Sequence, residues 1–184
     1  MDAKAHLRRE MRALRDAIPK PEHLMKSAAI RARLLKLCLD RRYSRIGIFA
    51  PFRNELDLLP VLEARPDWLW FFPRIITDQP PRLAWGTDPL EPGRHGLMEP
   101  VFAQHLLPPV ELLLVPCLAF DRDGYRLGYG SGFYDALLAK LSEDITTLAV
   151  AFQCQEVMDL PREPQDLPVH GVLTEAGLSW VESD

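Results

Sequence analysis

A chain of 184 residues with 47% apolar and 26% charged residues fits one soluble globular domain over 1–184, large enough to need no disulfide or metal staple. The formal net charge of −4 argues against broad attraction to nucleic acid, and no apolar run is long enough to span a bilayer. Cys38, Cys117 and Cys154 match neither a disulfide framework nor a zinc pattern, and the charged N-terminus lacks a signal-peptide core, so a cytoplasmic protein with a small-molecule partner is expected.

Over residues 3–18, Leu7, Met11, Leu14 and Ile18 recur at helical spacing and mark one apolar face, with Asp2 as the N-cap. On the same helix Lys4, Arg8, Arg12 and Arg15 form a basic stripe, either a polyphosphate clamp or a solvated charged face. Pro19 and Pro21 interrupt this helix, and a second is expected over 22–39. Short apolar runs at 46–50, 68–72, 112–115 and 148–152 then read as buried strands. Their continuous hydrophobicity implies cover on both faces, which helical stretches near 58–64 and 133–141 can supply, so the domain is of the α/β layered class. Residues 77–100, rich in proline, glycine and charge, are expected to form loops around a short strand or hairpin at 83–86. Trp68, Trp70 and Trp85 read as packing residues.

The densest chemistry lies at 126–135, where Gly128, Gly130 and Gly132 alternate between Arg126, Leu127, Tyr129, Ser131, Phe133, Tyr134 and Asp135, just before a helical pattern. Glycine permits positive φ and a bare backbone, so successive N–H groups can converge on an anion at a helix N-terminus. No lysine follows the glycines as in a Walker A loop, and Phe133 stands where a dinucleotide fingerprint needs its third glycine. A tight turn would need one or two glycines but not three, which favours a phosphate loop. Arg126 could neutralise phosphate oxygens. Asp135 either holds magnesium or stabilises the first helical turn through the helix dipole. Glu55, in the segment 53–57 directly after a strand, either hydrogen-bonds a substrate or is a helix N-terminal acid. The five histidines show no metal-ligand spacing, and no nucleophile motif is present.

In chain order these residues resemble the 5-formyltetrahydrofolate cyclo-ligase family, also called methenyltetrahydrofolate synthetase. The resemblance runs from Lys4 and Arg8 through Asn54-Glu55-Leu56-Asp57, Pro73-Arg74, Glu99-Pro100, Val115-Pro116, Ala119-Phe120-Asp121 and the glycine loop to Gln155, Pro161, Asp166 and Thr174-Glu175. Ser131, Phe133, Gln165 and His170 depart from the family's usual residues. The resemblance implies a three-layer α/β/α single domain with a mainly parallel central sheet behind two N-terminal helices. It also implies that ATP phosphorylates the N5-formyl oxygen of 5-formyltetrahydrofolate, after which N10 attacks and phosphate leaves. Under it, Lys4, Arg8 and residues 126–134 would contact ATP, with Arg126 and Tyr134 catalytic. Asp135 and Asp166 would bind Mg2+, and Glu55 would hold the folate, with or without a polyglutamate tail. A monomer that binds neither nucleic acid nor membrane is expected. The competing expectation is a non-catalytic folate- or nucleotide-binding module on the same fold.

Overall fold

The computed structural model describes residues 3–182. Helices α1 (Ala3–Asp16) and α2 (Lys20–Arg41) lead the chain, and the expected cap Asp2 lies outside the described residues. Then follow β1 (Arg45–Gly47), α3 (Pro60–Ala64), β2 (Leu69–Asp78), β3 (Pro81–Gly86), β4 (Leu90–Pro92), β5 (Met98–Pro100) and β6 (Leu112–Pro116). The chain ends with β7 (Ala119–Phe120), β8 (Arg126–Leu127), α4 (Phe133–Leu138), β9 (Thr146–Val150), β10 (Gly171–Leu173) and β11 (Leu178–Trp180).

Seven strands form one sheet in the order β11-β10-β9-β6-β1-β2-β3. Its interior pairs are parallel, and only β11 and β3 join antiparallel, at the two edges. The alternation of side chains along each strand sorts the apolar runs onto two faces. Leu112 and Leu114 of β6 share a cluster with Ile30, Leu34 and Leu37 of α2, whereas Leu113 and Val115 share one with Leu137 of α4. Helices therefore cover both faces, which gives the three-layer α/β/α architecture implied by the resemblance. Among the described residues no helix is long and apolar enough to cross a membrane.

Two local expectations are corrected. The short strand expected at 83–86 is present, but it is not set among loops. It belongs to β3, which pairs with the outer half of β2 and forms an edge of the main sheet. The other correction concerns α1, whose Leu14 is 41% exposed while Arg15 is 1% exposed. The cause is where the helix docks. Leu7 and Met11 pack on Ala119, Leu127 and Leu160, around the small β7–β8 ribbon rather than the main sheet, and Ile18 alone of the stripe reaches the large core. This docking angle turns Arg15 inward and sets the first turns of α1 beside the glycine loop that follows β8.

Candidate active site

Chain order reverses direction between β1 and β6, and the crevice outside the carboxyl ends of strands at such a switch point is the usual ligand site of an open α/β sheet. A cleft of about 780 Å³ lies there. It is walled by Phe49, Ala50 and Phe52 after β1, Pro73 and Ile75 of β2, Pro116 of β6 and all of residues 126–136.

The glycine loop has the geometry its composition suggested. Gly130 and Gly132 take φ of 107° and 71°, a region that penalises any side chain. Gly132 is also the N-cap of α4 and offers no side-chain hydrogen bond, so the first-turn N–H groups remain available to another acceptor. Gly128 differs, because it lies outside the positive-φ region and an added Cβ would meet nothing within 4 Å. Folding alone does not require glycine there, whereas close approach by a ligand would.

The basic stripe of α1 divides. Arg8 donates from Nε to the Gly128 carbonyl (2.9 Å), and its guanidinium lies over Gly130. Lys4 donates from Nζ to Glu163 and Asp166, each at 2.6 Å. Burial alone would lower the Lys4 pKa, but the two carboxylates outweigh it and hold the ammonium above its ordinary value. Arg15 leaves the stripe for the interior. Its Nη2 donates to the Tyr129 hydroxyl (2.7 Å), which donates in turn to Glu55 Oε1 (2.8 Å).

Glu55 is 6% exposed, and its other oxygen accepts the Phe52 N–H (3.0 Å). Burial pushes its pKa up, against the lowering pull of the Phe52 amide, the Tyr129 hydroxyl and the Arg15 charge. Burial likewise raises the pKa of Tyr129 and Tyr134, with the Glu55 charge adding to it, so both phenols stay protonated. The segment carrying Glu55 is tied down from two sides: Asn54 donates to the Arg15 carbonyl, and the His23 ring meets the Glu55 carbonyl.

Arg126 joins the remaining parts. Its guanidinium donates to the Leu167 carbonyl (2.7 Å) and to Asp135 Oδ1 (3.0 Å). Through it, α4 is linked to the segment that carries Asp166. Each of the two aspartates thus already has a cation partner. Among the described residues no group of three or more His, Cys, Asp or Glu side chains is arranged to hold a metal alone.

Lys4, Arg8, Glu55, residues 126–135 and Asp166 all line the one cleft. His170 is absent from its lining and instead meets the Thr147 amide and hydroxyl through Nδ1. Two acids escaped the sequence reading. Glu163 is the second carboxylate on Lys4, and nothing local in the sequence marks it. Glu99 is 2% exposed at the cleft wall and accepts the Ile75 N–H (3.1 Å) beside Arg74. The pairs Pro73-Arg74 and Glu99-Pro100 were the signal, since both recur in the resemblance, but their meeting across β2 and β5 is not visible in either alone.

A mainly parallel sheet whose switch-point crevice carries a glycine loop overlain by a helix-borne arginine defines an α/β enzyme of the small-molecule kind. Residues 1–175 match the 5-formyltetrahydrofolate cyclo-ligase family, and the chain belongs to that family. The Haemophilus influenzae protein named 5-formyltetrahydrofolate cyclo-ligase is 27% identical over 186 residues, covering 91% of this chain and 95% of its own length. The NMR structure of Aquifex aeolicus 5,10-methenyltetrahydrofolate synthetase superposes with a TM-score of 0.83 at 28% identity, over 98% of this chain and 94% of that one. The Mycoplasma pneumoniae 5,10-methenyltetrahydrofolate synthetase shares the fold, with a TM-score of 0.75 at 22% identity over 95% of this chain and 99% of that one.

Proposed function

We propose that this chain is a single-domain 5-formyltetrahydrofolate cyclo-ligase that acts as a monomer and uses ATP to convert 5-formyltetrahydrofolate to 5,10-methenyltetrahydrofolate, ADP and phosphate. The observation that carries the reading is the convergence of Lys4, Arg8, Glu55, the loop 126–135 and Asp166 on one cleft of about 780 Å³. Phosphoryl transfer needs positioning and charge neutralisation rather than a protein nucleophile, and this cleft offers those two things.

In this reading the γ-phosphoryl group of ATP passes to the N5-formyl oxygen. N10 then attacks the activated carbon and the phosphate departs with that oxygen. The open space at Gly128 and the uncapped N–H groups of α4 support an ATP polyphosphate on the loop. Lys4 and Arg8 supply positive charge from the α1 side. Tyr134 keeps its proton, because burial raises its pKa, so its role is to donate a hydrogen bond to the transferring group and not to act as a base. Glu55 faces the same cleft as an acceptor for an N–H of the folate.

The carboxylates Asp135 and Asp166 fit Mg2+, a hard cation that takes oxygen ligands and is commonly held by one or two carboxylates plus substrate phosphates. When bound, Mg2+ supplies neutralisation of the charge on the phosphoryl oxygens. Arg126 orients Asp135 for this role through the Nη2 contact.

The direct test is formation of the methenyl product from 5-formyltetrahydrofolate, followed by its near-ultraviolet absorbance with and without ATP and Mg2+. Saturating ATP with no product would end this reading, and folate binding without turnover would instead identify a non-catalytic module.

Gly128 provides a second prediction. Gly128→Ala should leave stability within about 0.5 kcal/mol, since the added Cβ meets nothing within 4 Å. It should raise the KM for ATP by about tenfold or more by keeping phosphate off the backbone. Thermal unfolding beside ATP titration checks it. A stability loss with an unchanged KM would assign Gly128 to folding.

A further inference from the structure

We infer that Arg15 is a positioning residue for folate binding: acting through Tyr129, it holds the Glu55 carboxyl group in place from behind the cleft. The inference rests on the proposed function, because it takes Glu55 as the folate-binding carboxylate.

Arg15 carries a charge in the wrong place for stability. It is 1% exposed, and its Nε is buried without a hydrogen-bond partner. Removing a guanidinium from water costs several kcal/mol, and apolar replacements of buried charges are frequently neutral or stabilising. A reason outside stability is therefore needed, and the contacts of Arg15 supply one. Arg15 itself does not line the cleft, but both side chains it reaches, Tyr129 and Glu55, do.

The hydrogen bonds run in one direction. Arg15 Nη2 donates to the Tyr129 oxygen at 2.7 Å, which leaves the single phenolic proton for Glu55 Oε1 at 2.8 Å. Arg15 Nη1 stands 3.7 Å from the same carboxylate oxygen. Because Oε2 takes the Phe52 N–H, both oxygens are fixed while each retains acceptor capacity for a ligand.

The groups facing Glu55 come from every neighbouring element. They are Arg15 of α1, the His23 ring of α2 on its carbonyl, Tyr129 and Tyr134 from the loop and α4, and Cys117 after β6. Only Arg15 brings a guanidinium to the carboxylate from this set. Burial raises the Glu55 pKa and Arg15 opposes it, so the sign is fixed. Folate affinity should fall as pH drops through the Glu55 pKa, and loss of Arg15 should move that fall to higher pH.

The test is isothermal titration of 5-formyltetrahydrofolate and, separately, of ATP into the full chain across a pH series. The proteins are wild type, Arg15→Met, Arg15→Lys and Tyr129→Phe. Arg15→Met should weaken folate binding about tenfold at neutral pH. It should shift the acid limb up by about one pH unit. Its ATP affinity should stay within about twofold. Arg15→Lys should restore the position of the acid limb, and Tyr129→Phe should move both quantities in the direction of Arg15→Met. Folate affinity and acid limb equal to wild type in Arg15→Met overturn the inference. If that variant does not fold, the same result in Tyr129→Phe overturns it. A wild-type protein that binds no 5-formyltetrahydrofolate sinks the functional reading itself, and the inference with it. Normal wild-type binding with insensitive variants sinks the inference alone.

Discussion

Arg126→Met is expected to lower turnover by about 10³-fold, the scale on which a single arginine stabilises phosphoryl transfer. The same change should cost only about 1–3 kcal/mol of stability. The side chain is 3% exposed, but what it leaves behind is modest. Asp135 is 31% exposed and can turn to water, and the Leu167 carbonyl loses one donor. A domain of this size has enough stability to stay folded after that loss. The two magnitudes separate the possible roles of Arg126. Initial rates at saturating ATP and folate should collapse while the unfolding midpoint moves moderately. If the rate falls no further than the folded fraction does, Arg126 is a structural tie between α4 and the 166–167 segment and nothing more.

Asp135→Asn is the second large effect and decides an ambiguity present in the sequence. A metal-binding carboxylate, once neutralised, should raise the Mg2+ concentration needed for half-maximal activity by at least about tenfold. A helix-dipole acid in the first turn of α4 would instead cost about 0.3–1 kcal/mol of stability and leave the Mg2+ requirement unchanged. Asparagine keeps an oxygen for the Arg126 Nη2 hydrogen bond, so the geometry of the pair is retained. Titrating Mg2+ at fixed ATP distinguishes the two. Asp166→Asn should act in the same direction, with the added loss of a charged partner for Lys4.

How much of this was legible beforehand depended on whether the signal was local. The strands at 112–115 and 148–152 emerged near their observed bounds because continuous apolar runs need no partner to be recognised. The two-residue strands β7 and β8 carry no periodicity, yet their ribbon decides where α1 docks. For that reason Leu14 read as part of the packed face when it is exposed, and Arg15 as one more stripe cation when it is buried. The glycine loop was visible as composition, and Gly130 and Gly132 carry the positive φ it suggested. Its flanking partners were not. The Arg126 contact to Leu167 and the Lys4 contacts to Glu163 and Asp166 join residues far apart in the chain, and only the fold brings them together. From its residue type and position alone Glu55 read as a helix N-terminal acid, and only the resemblance gave it the folate. No helix begins at Glu55, since α3 starts at Pro60, and the proposed folate role rests on its buried contacts with Arg15 and Tyr129.

The central claim is that this cleft couples ATP cleavage to ring closure of the folate. The most direct measurement is the ratio of inorganic phosphate released to 5,10-methenyltetrahydrofolate formed, followed together under saturating ATP, Mg2+ and 5-formyltetrahydrofolate. The account predicts one phosphate for each methenyl product, with neither appearing when the folate is withheld. Phosphate release that continues without the folate, or methenyl product formed without ATP, would contradict it.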